Sequence, residues 1–246
     1  MTTVTVLVDA RSRAAYDAGH LPGAVQLDPE RDLSATAVDP ADGGRHPLPA
    51  PSVLATVFTD AGIDADTFVL ALDDGSGWAA RCWWLLRHLG HDAAGTLDAR
   101  AYAGPLEGRV LRQSRGDEPR RRAAFVPRVR DDDTIEAEEI LERLDDPTLV
   151  LLDARAPERW RGEVEPLDPV AGRIPGARNA YFLDPLPPEA VEAPELVVYC
   201  GSGVSAAPVV QRLVLAGRDD VRLYTGSFSE WCRRPGFPIE RGDPIL

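Results

Sequence analysis

The chain repeats itself, and the repeat constrains its fold more than any other feature. Leu7-Val8-Asp9-Ala10-Arg11, then Gly19-His20-Leu21-Pro22-Gly23-Ala24, returns as Leu151-Leu152-Asp153-Ala154-Arg155, then Gly172-Arg173-Ile174-Pro175-Gly176-Ala177. Phe68-Val69-Leu70-Ala71-Leu72-Asp73 with Gly75-Ser76-Gly77 lines up with Leu196-Val197-Val198-Tyr199-Cys200 and Gly201-Ser202-Gly203, and both halves run on to a glycine, Gly90 and Gly217. Each half therefore reads strand, loop, strand, Gly-rich turn, helix. Short apolar runs alternating with helical patterns predict parallel strands joined by crossover helices. The expected architecture is α/β, two tandem domains at 1–104 and 131–246, each a parallel sheet flanked by helices, with a linker at 105–130.

Helices are expected over 52–61, 79–89, 135–144 and 206–216. The first and third follow Pro51 and Thr134, and several end at glycine: Gly62, Gly90 and Gly217. The stretch from Ala103 to Arg130, with its glycines, prolines and Arg120-Arg121-Arg122, is read as a linker whose arginines form a solvated face. Between Leu27 and Pro51, a Pro-, Asp- and Gly-rich excursion holding Arg45-His46-Pro47 is read as an irregular surface loop. A helix precedes the first strand of the second domain, whereas the first domain starts almost directly at its Val4 strand.

Composition narrows the chemistry. With 246 residues, 44% of them hydrophobic, the chain has enough apolar content for folded domains. No apolar run approaches the roughly 20 residues that span a bilayer, and the N-terminal residues lack a basic region, so a cytoplasmic protein is expected, with no membrane partner. All 27 basic side chains are arginine, which removes Schiff-base chemistry and the phosphate-loop lysine. Arginines bind anions or pair with acids and do not shuttle protons. A net charge of −13 argues against a nucleic-acid partner but leaves room for a small anionic ligand met by a few local arginines. The cysteines, Cys82, Cys200 and Cys232, form neither a C-x-x-C pair nor a zinc ladder.

Cys200 is the chemically loaded position. It follows the apolar run 196–199, and Gly201-Ser202-Gly203-Val204-Ser205 leads into the helix from Ala206. Small residues let the backbone curl so that N–H groups point inward, and the helix N-terminus adds positive potential, so an anionic sulfur is stabilised there. A cysteine phosphatase would need arginine six residues after the cysteine, and Ala206 stands there.

These segments, with the ending Glu230-Trp231-Cys232-Arg233-Arg234-Pro235-Gly236-Phe237-Pro238, resemble two-domain rhodanese-like sulfurtransferases, which include the 3-mercaptopyruvate and thiosulfate enzymes. The resemblance covers essentially the whole chain. It implies a site between the domains at which Cys200 takes up sulfur as a persulfide and passes it to cyanide or a thiol, a thioredoxin-like protein included, with neither metal nor organic cofactor. The repeat places Asp73 opposite Cys200, so the first domain is expected to be catalytically inactive. A non-catalytic binding module suits that half alone, because the second keeps its cysteine and glycine loop.

Gly201-Ser202-Gly203 resembles the mercaptopyruvate-type loop, whereas thiosulfate-type loops carry basic residues after the cysteine. The family's two donor-binding arginines point to Arg161 and, for the second, to a position occupied by Leu167, with Arg178 as a weaker substitute; Arg159 is left undecided. The resemblance also points to His20 as a partner of Ser202 in proton handling, set against a structural role in its Gly-His-x-Pro-Gly context. Arg11 and Arg155 are expected to form ion pairs within their domains, Cys82 to pack in a core, and Cys232 to be a structural thiol or a redox partner of Cys200.

Overall fold

The computed structural model describes residues 4–108 and 124–243. The Arg120-Arg121-Arg122 run lies outside the described residues. The chain divides into two compact units, one of residues 1–35 and 49–130 and the other of residues 36–48 and 131–246.

The first unit contains β1 (Val4–Asp9), α1 (Arg13–Ala18), β2 (Val25–Gln26), α2 (Pro51–Asp60), β3 (Thr67–Asp73), α3 (Trp78–His88) and β4 (Ala94–Asp98). The second contains α4 (Ala137–Glu142), β5 (Leu149–Asp153), α5 (Pro157–Trp160), β6 (Arg178–Asn179), α6 (Pro188–Glu192), β7 (Glu195–Tyr199), α7 (Ala206–Leu215), β8 (Arg222–Leu223) and α8 (Ser227–Trp231). Each unit carries a four-stranded sheet, ordered β2-β1-β3-β4 and β6-β5-β7-β8, and all pairings are parallel. The sequence repeat is thus a repeat of topology. The central strands read as apolar runs because helices cover both faces of a parallel sheet; Leu196, Val197, Val198 and Tyr199 of β7 are all fully buried. One face of the second sheet packs Leu149, Leu151, Val197 and Tyr199 against Ile140, Phe228 and Trp231.

The Asp-x-Arg repeat has a structural function in both units. The Arg11 and Arg155 guanidinium groups bond Asp9 and Asp153 at the ends of β1 and β5, at 2.6 Å each. The same arginines donate to the carbonyls of Gly19 and Gly172 at 2.9 and 2.7 Å, tying the Gly-x-x-Pro-Gly turn to the strand end.

The helices expected over 52–61, 79–89 and 206–216 occur within one residue at either end, while the third is shorter and starts after Glu136 rather than Thr134. The one-turn helices α5 and α8 had no clear periodicity to announce them. Two larger differences concern connections. Residues 124–130, expected to be linker, belong to the first unit: Phe125 is buried and donates its N–H to Thr59 Oγ1 at 2.9 Å, and Arg128 and Arg130 donate to the carbonyls of Leu89 and His88. The excursion read as a surface loop of the first domain supplies residues 36–48 to the second unit. It is held there by specific polar contacts rather than by an apolar pattern, so hydrophobic periodicity could not reveal it.

Candidate active site

Register fixes where the cysteine sits. Asp9 pairs with Leu72 and Asp153 with Tyr199, so the residues that follow, Asp73 and Cys200, are equivalents at the C-terminal ends of their sheets. This is where open parallel sheets present ligands, because the loops and helix N-termini converge there. Cys200 is 1% exposed, and its sulfur accepts the backbone N–H of Gly203 at 3.1 Å and that of Ser202 at 3.5 Å. Gly203 has φ of +78°, which glycine adopts without steric cost, and this curl turns the amides toward the sulfur. The loop is also held from outside. The Cys200 N–H donates to Ser227 Oγ at 3.2 Å, while Phe228 and Ser229 N–H groups donate to the Cys200 and Gly201 carbonyls at 2.9 Å. Ser227 itself has φ of +56°, a strained conformation for a residue with a side chain, at the point where α8 meets the loop.

The equivalent loop of the first unit closes on its own carboxylate. Asp73 accepts the N–H groups of Gly75, Gly77 and Ala79 at 2.8–3.0 Å and the Ser76 hydroxyl at 3.2 Å. The anion that this nest holds is built into the chain. The other thiols differ from Cys200 in setting. Burial pushes the Cys82 pKa up to about 12 in the interior of α3, and burial, assisted by Asp168, pushes that of Cys232 up to about 11.

Residues 36–48 bring two side chains to the cysteine loop. His46 Nδ1 lies 2.7 Å from Ser202 Oγ, an interaction 156 residues long in sequence. Arg45 is fixed by its backbone N–H, which donates to Ser229 Oγ at 3.0 Å, and the preceding Gly44, at φ of +80°, passes so close to Gly226 and Ser229 that a Cβ would overlap them. His20 belongs to the first unit. Its ring stacks on Tyr16 at 3.7 Å, Nδ1 lies 2.9 Å from the Tyr16 carbonyl oxygen, and Nε2 lies 3.9 Å from Glu107. These contacts suit the structural role that its Gly-His-x-Pro-Gly context allows.

The cations at the loop also differ from the expected ones. A methyl group on Gly201 would lie 3.0 Å from Arg45 Nη2 and 3.5 Å from both terminal nitrogens of Arg159. Arg159 bonds Glu165 at 2.6 Å and lies 3.6 Å from Asp168, a carboxylate that also holds Arg233 at 2.8 Å and pairs with Arg45. Arg161 lies just past the end of α5 at the surface and pairs with Glu163 at 2.6 Å, a bond that raises its pKa. Arg178 is exposed on β6 with no ion pair among the described residues, and Leu167 is 58% exposed. Arg159 and Arg161 flank the buried Trp160, so a one-turn helix sends them to different environments, which spacing alone did not resolve.

Comparison with known proteins gives this geometry a family. The rhodanese-like domain family matches residues 1–102 and 136–234. The chain is 43% identical over 248 residues to a probable 3-mercaptopyruvate sulfurtransferase of Pseudomonas aeruginosa, covering 93% of this chain and 86% of that protein. It is 35% identical over 255 residues to the putative thiosulfate sulfurtransferase SseB of Mycobacterium tuberculosis, covering 93% and 86%. Among solved structures, SseA of Escherichia coli, described with the rhodanese fold and mechanism of 3-mercaptopyruvate sulfotransferases, superposes with a TM-score of 0.70 at 26% identity, over 92% of this chain and 93% of that one. The chain belongs to the rhodanese-like family and is a two-domain sulfurtransferase.

Proposed function

We propose that Cys200 carries the transferred sulfur and that the preferred donor is 3-mercaptopyruvate. The observation that carries this reading is the cysteine sulfur under the Ser202 and Gly203 amides, with the Ser202 hydroxyl bonded to His46. The Cys200 thiolate attacks the donor sulfur, the donor C–S bond breaks, and its electron pair leaves as the enolate of pyruvate, which takes a proton to become pyruvate. A thiol acceptor, in its thiolate form, or cyanide then attacks the outer sulfur and releases the Cys200 thiolate. The amides of Gly201–Ser205 hold the anionic sulfur species, and the Ser202–His46 pair moves the proton.

Donor preference follows from the leaving groups. Sulfite leaves thiosulfate as a stable anion and requires no proton, whereas an enolate does, so a serine–histidine pair beside the sulfur serves the mercaptopyruvate reaction specifically. The 3-mercaptopyruvate kcat/KM is expected to exceed that for thiosulfate in steady-state assays of the purified protein; the reverse order would reject this donor assignment.

Arg159 binds the donor's anionic group. Its place against Gly201 supports it over Arg161, whose charge is engaged with Glu163 at the surface. A charge-assisted hydrogen bond contributes about 1.5–3 kcal/mol, so Arg159→Ala should lower kcat/KM by roughly 10- to 100-fold. Arg161→Ala should remain near wild type; equal losses in the two variants would return Arg161 to the site.

The partners are thus a small anionic donor and a thiol or cyanide acceptor. A cytoplasmic setting is inferred, supported by three free thiols, which suit a reducing compartment.

A further inference from the structure

We propose that Arg45 is a second donor-binding residue, acting with Arg159 on the donor's carboxylate and supplying from residues 36–48 the cation that Leu167 lacks. The proposal rests on sulfur transfer at Cys200 as argued above. Arg45 Nη2 and both terminal nitrogens of Arg159 converge on Gly201, the residue next to the cysteine, at 3.0–3.5 Å from where a side chain would begin. A side chain there would fill the space in front of both guanidinium groups; glycine leaves it to a ligand.

Charge counting separates a ligand site from a purely structural network. Four arginines, Arg45, Arg155, Arg159 and Arg233, meet three acids, Asp153, Glu165 and Asp168, in one connected set of ion pairs. The set carries one positive charge in excess, which favours an anion beside Gly201. Arg45 and Arg233 both bond Oδ1 of the fully buried Asp168, while its Oδ2 has Arg159 at 3.6 Å and no hydrogen bond among the described residues. Only Nη1 of Arg45 is spent on Asp168, and Nη2 bonds no acceptor among the described residues.

The anchoring is rigid where it needs to be. Ser229 Oγ accepts the Arg45 N–H, and the Ser229 N–H in turn donates to the Gly201 carbonyl, so the backbone that carries Arg45 is fixed to the same loop that carries Cys200. A fixed fork loses little entropy on binding a planar carboxylate, and lysine could not present two parallel donors. Leu167, by contrast, is an exposed apolar side chain.

The test is steady-state kinetics of Arg45→Ala, Arg45→Gln and Arg45→Lys with 3-mercaptopyruvate, together with inhibition by pyruvate, which presents the carboxylate without a transferable sulfur. In Arg45→Ala and Arg45→Gln, the donor KM and the pyruvate Ki are expected to rise together by roughly 10- to 100-fold, kcat should change less, and Arg45→Lys should recover part of the loss. A merely structural Arg45 would reduce the folded, active fraction and hence kcat at unchanged KM. Arg45→Gln keeps a donor for Asp168 and so guards against misfolding of the alanine variant. Unchanged KM and Ki in folded Arg45→Gln would overturn the proposal. If the wild type loads sulfur on Cys200 while that variant binds normally, only Arg45 is misassigned; if the wild type never loads Cys200, the underlying reading fails instead.

Discussion

The Cys200→Ser protein, treated with 3-mercaptopyruvate and no acceptor, is expected to gain no mass and show no turnover, while wild type gains one sulfur, about 32 Da, that cyanide removes. The wild-type chain offers three thiols, and their surroundings decide among them. A thiol must be ionised to attack sulfur. With the Cys82 pKa at about 12 and that of Cys232 at about 11, thiolate fractions at pH 8 are on the order of 0.0001 and 0.001. Neither cysteine lies on a strand-to-helix loop whose amides point at its sulfur, as those of Ser202 and Gly203 do for Cys200. Accordingly, Cys82→Ser and Cys232→Ser should retain the added mass and turnover. Retention of the mass by Cys200→Ser, or loss of turnover in a folded Cys232→Ser protein, would sink the assignment.

The first unit offers no thiol at the equivalent position. Its equivalent loop holds Asp73, and three amides and a hydroxyl already saturate that carboxylate. Replacing Asp73 with cysteine would exchange a satisfied anion for a thiol, and Ser76, the counterpart of Ser202, bonds Asp73 where Ser202 meets His46. The repeat therefore preserves the sheet and the nest, while only the second copy carries a cysteine at this position.

What could be read from the chain follows from the range of the interactions. Strands and the longer helices were legible because burial on both sheet faces writes itself into short apolar runs, and helix starts and ends carry Pro51, Gly62, Gly90 and Gly217. Cys200 was legible for the same reason: its strand, its glycine loop and its helix are consecutive. His46 and Arg45 were not, because they reach the loop from a distant stretch of the chain, 156 residues away for His46 and Ser202, on a segment with no apolar period, held by Gly44, Ser229 and Asp168. The signal that could have found them was the pair itself, a histidine beside an arginine in an excursion too rich in glycine and proline to be a solvated helix. The proton-handling role for His20 came from the family resemblance, whereas its Gly-His-x-Pro-Gly context pointed to a structural one.

Replacing His46 with alanine is expected to lower kcat for 3-mercaptopyruvate by roughly 100- to 10,000-fold, the range over which a positioned proton-transfer group acts, with a much smaller effect on thiosulfate. The ring contacts Ser202 Oγ directly at 2.7 Å, and Ser202 is also the residue whose amide faces the Cys200 sulfur. If the two side chains move one proton as a unit, Ser202→Ala should cost about as much as His46→Ala, and the double variant little more than either, because the second removal finds the path already broken. Independent contributions would instead multiply. His20→Ala provides the contrast: it removes a ring stacked on Tyr16 and bonded to that residue's carbonyl, so it should lower the thermal stability of the first unit and leave kcat near wild type. Parallel kinetics on both donors and thermal unfolding of His46→Ala, Ser202→Ala, the double variant and His20→Ala distinguish these outcomes. A kcat loss in His20→Ala with an intact unfolding profile, alongside normal kcat in His46→Ala, would move proton transfer back to His20.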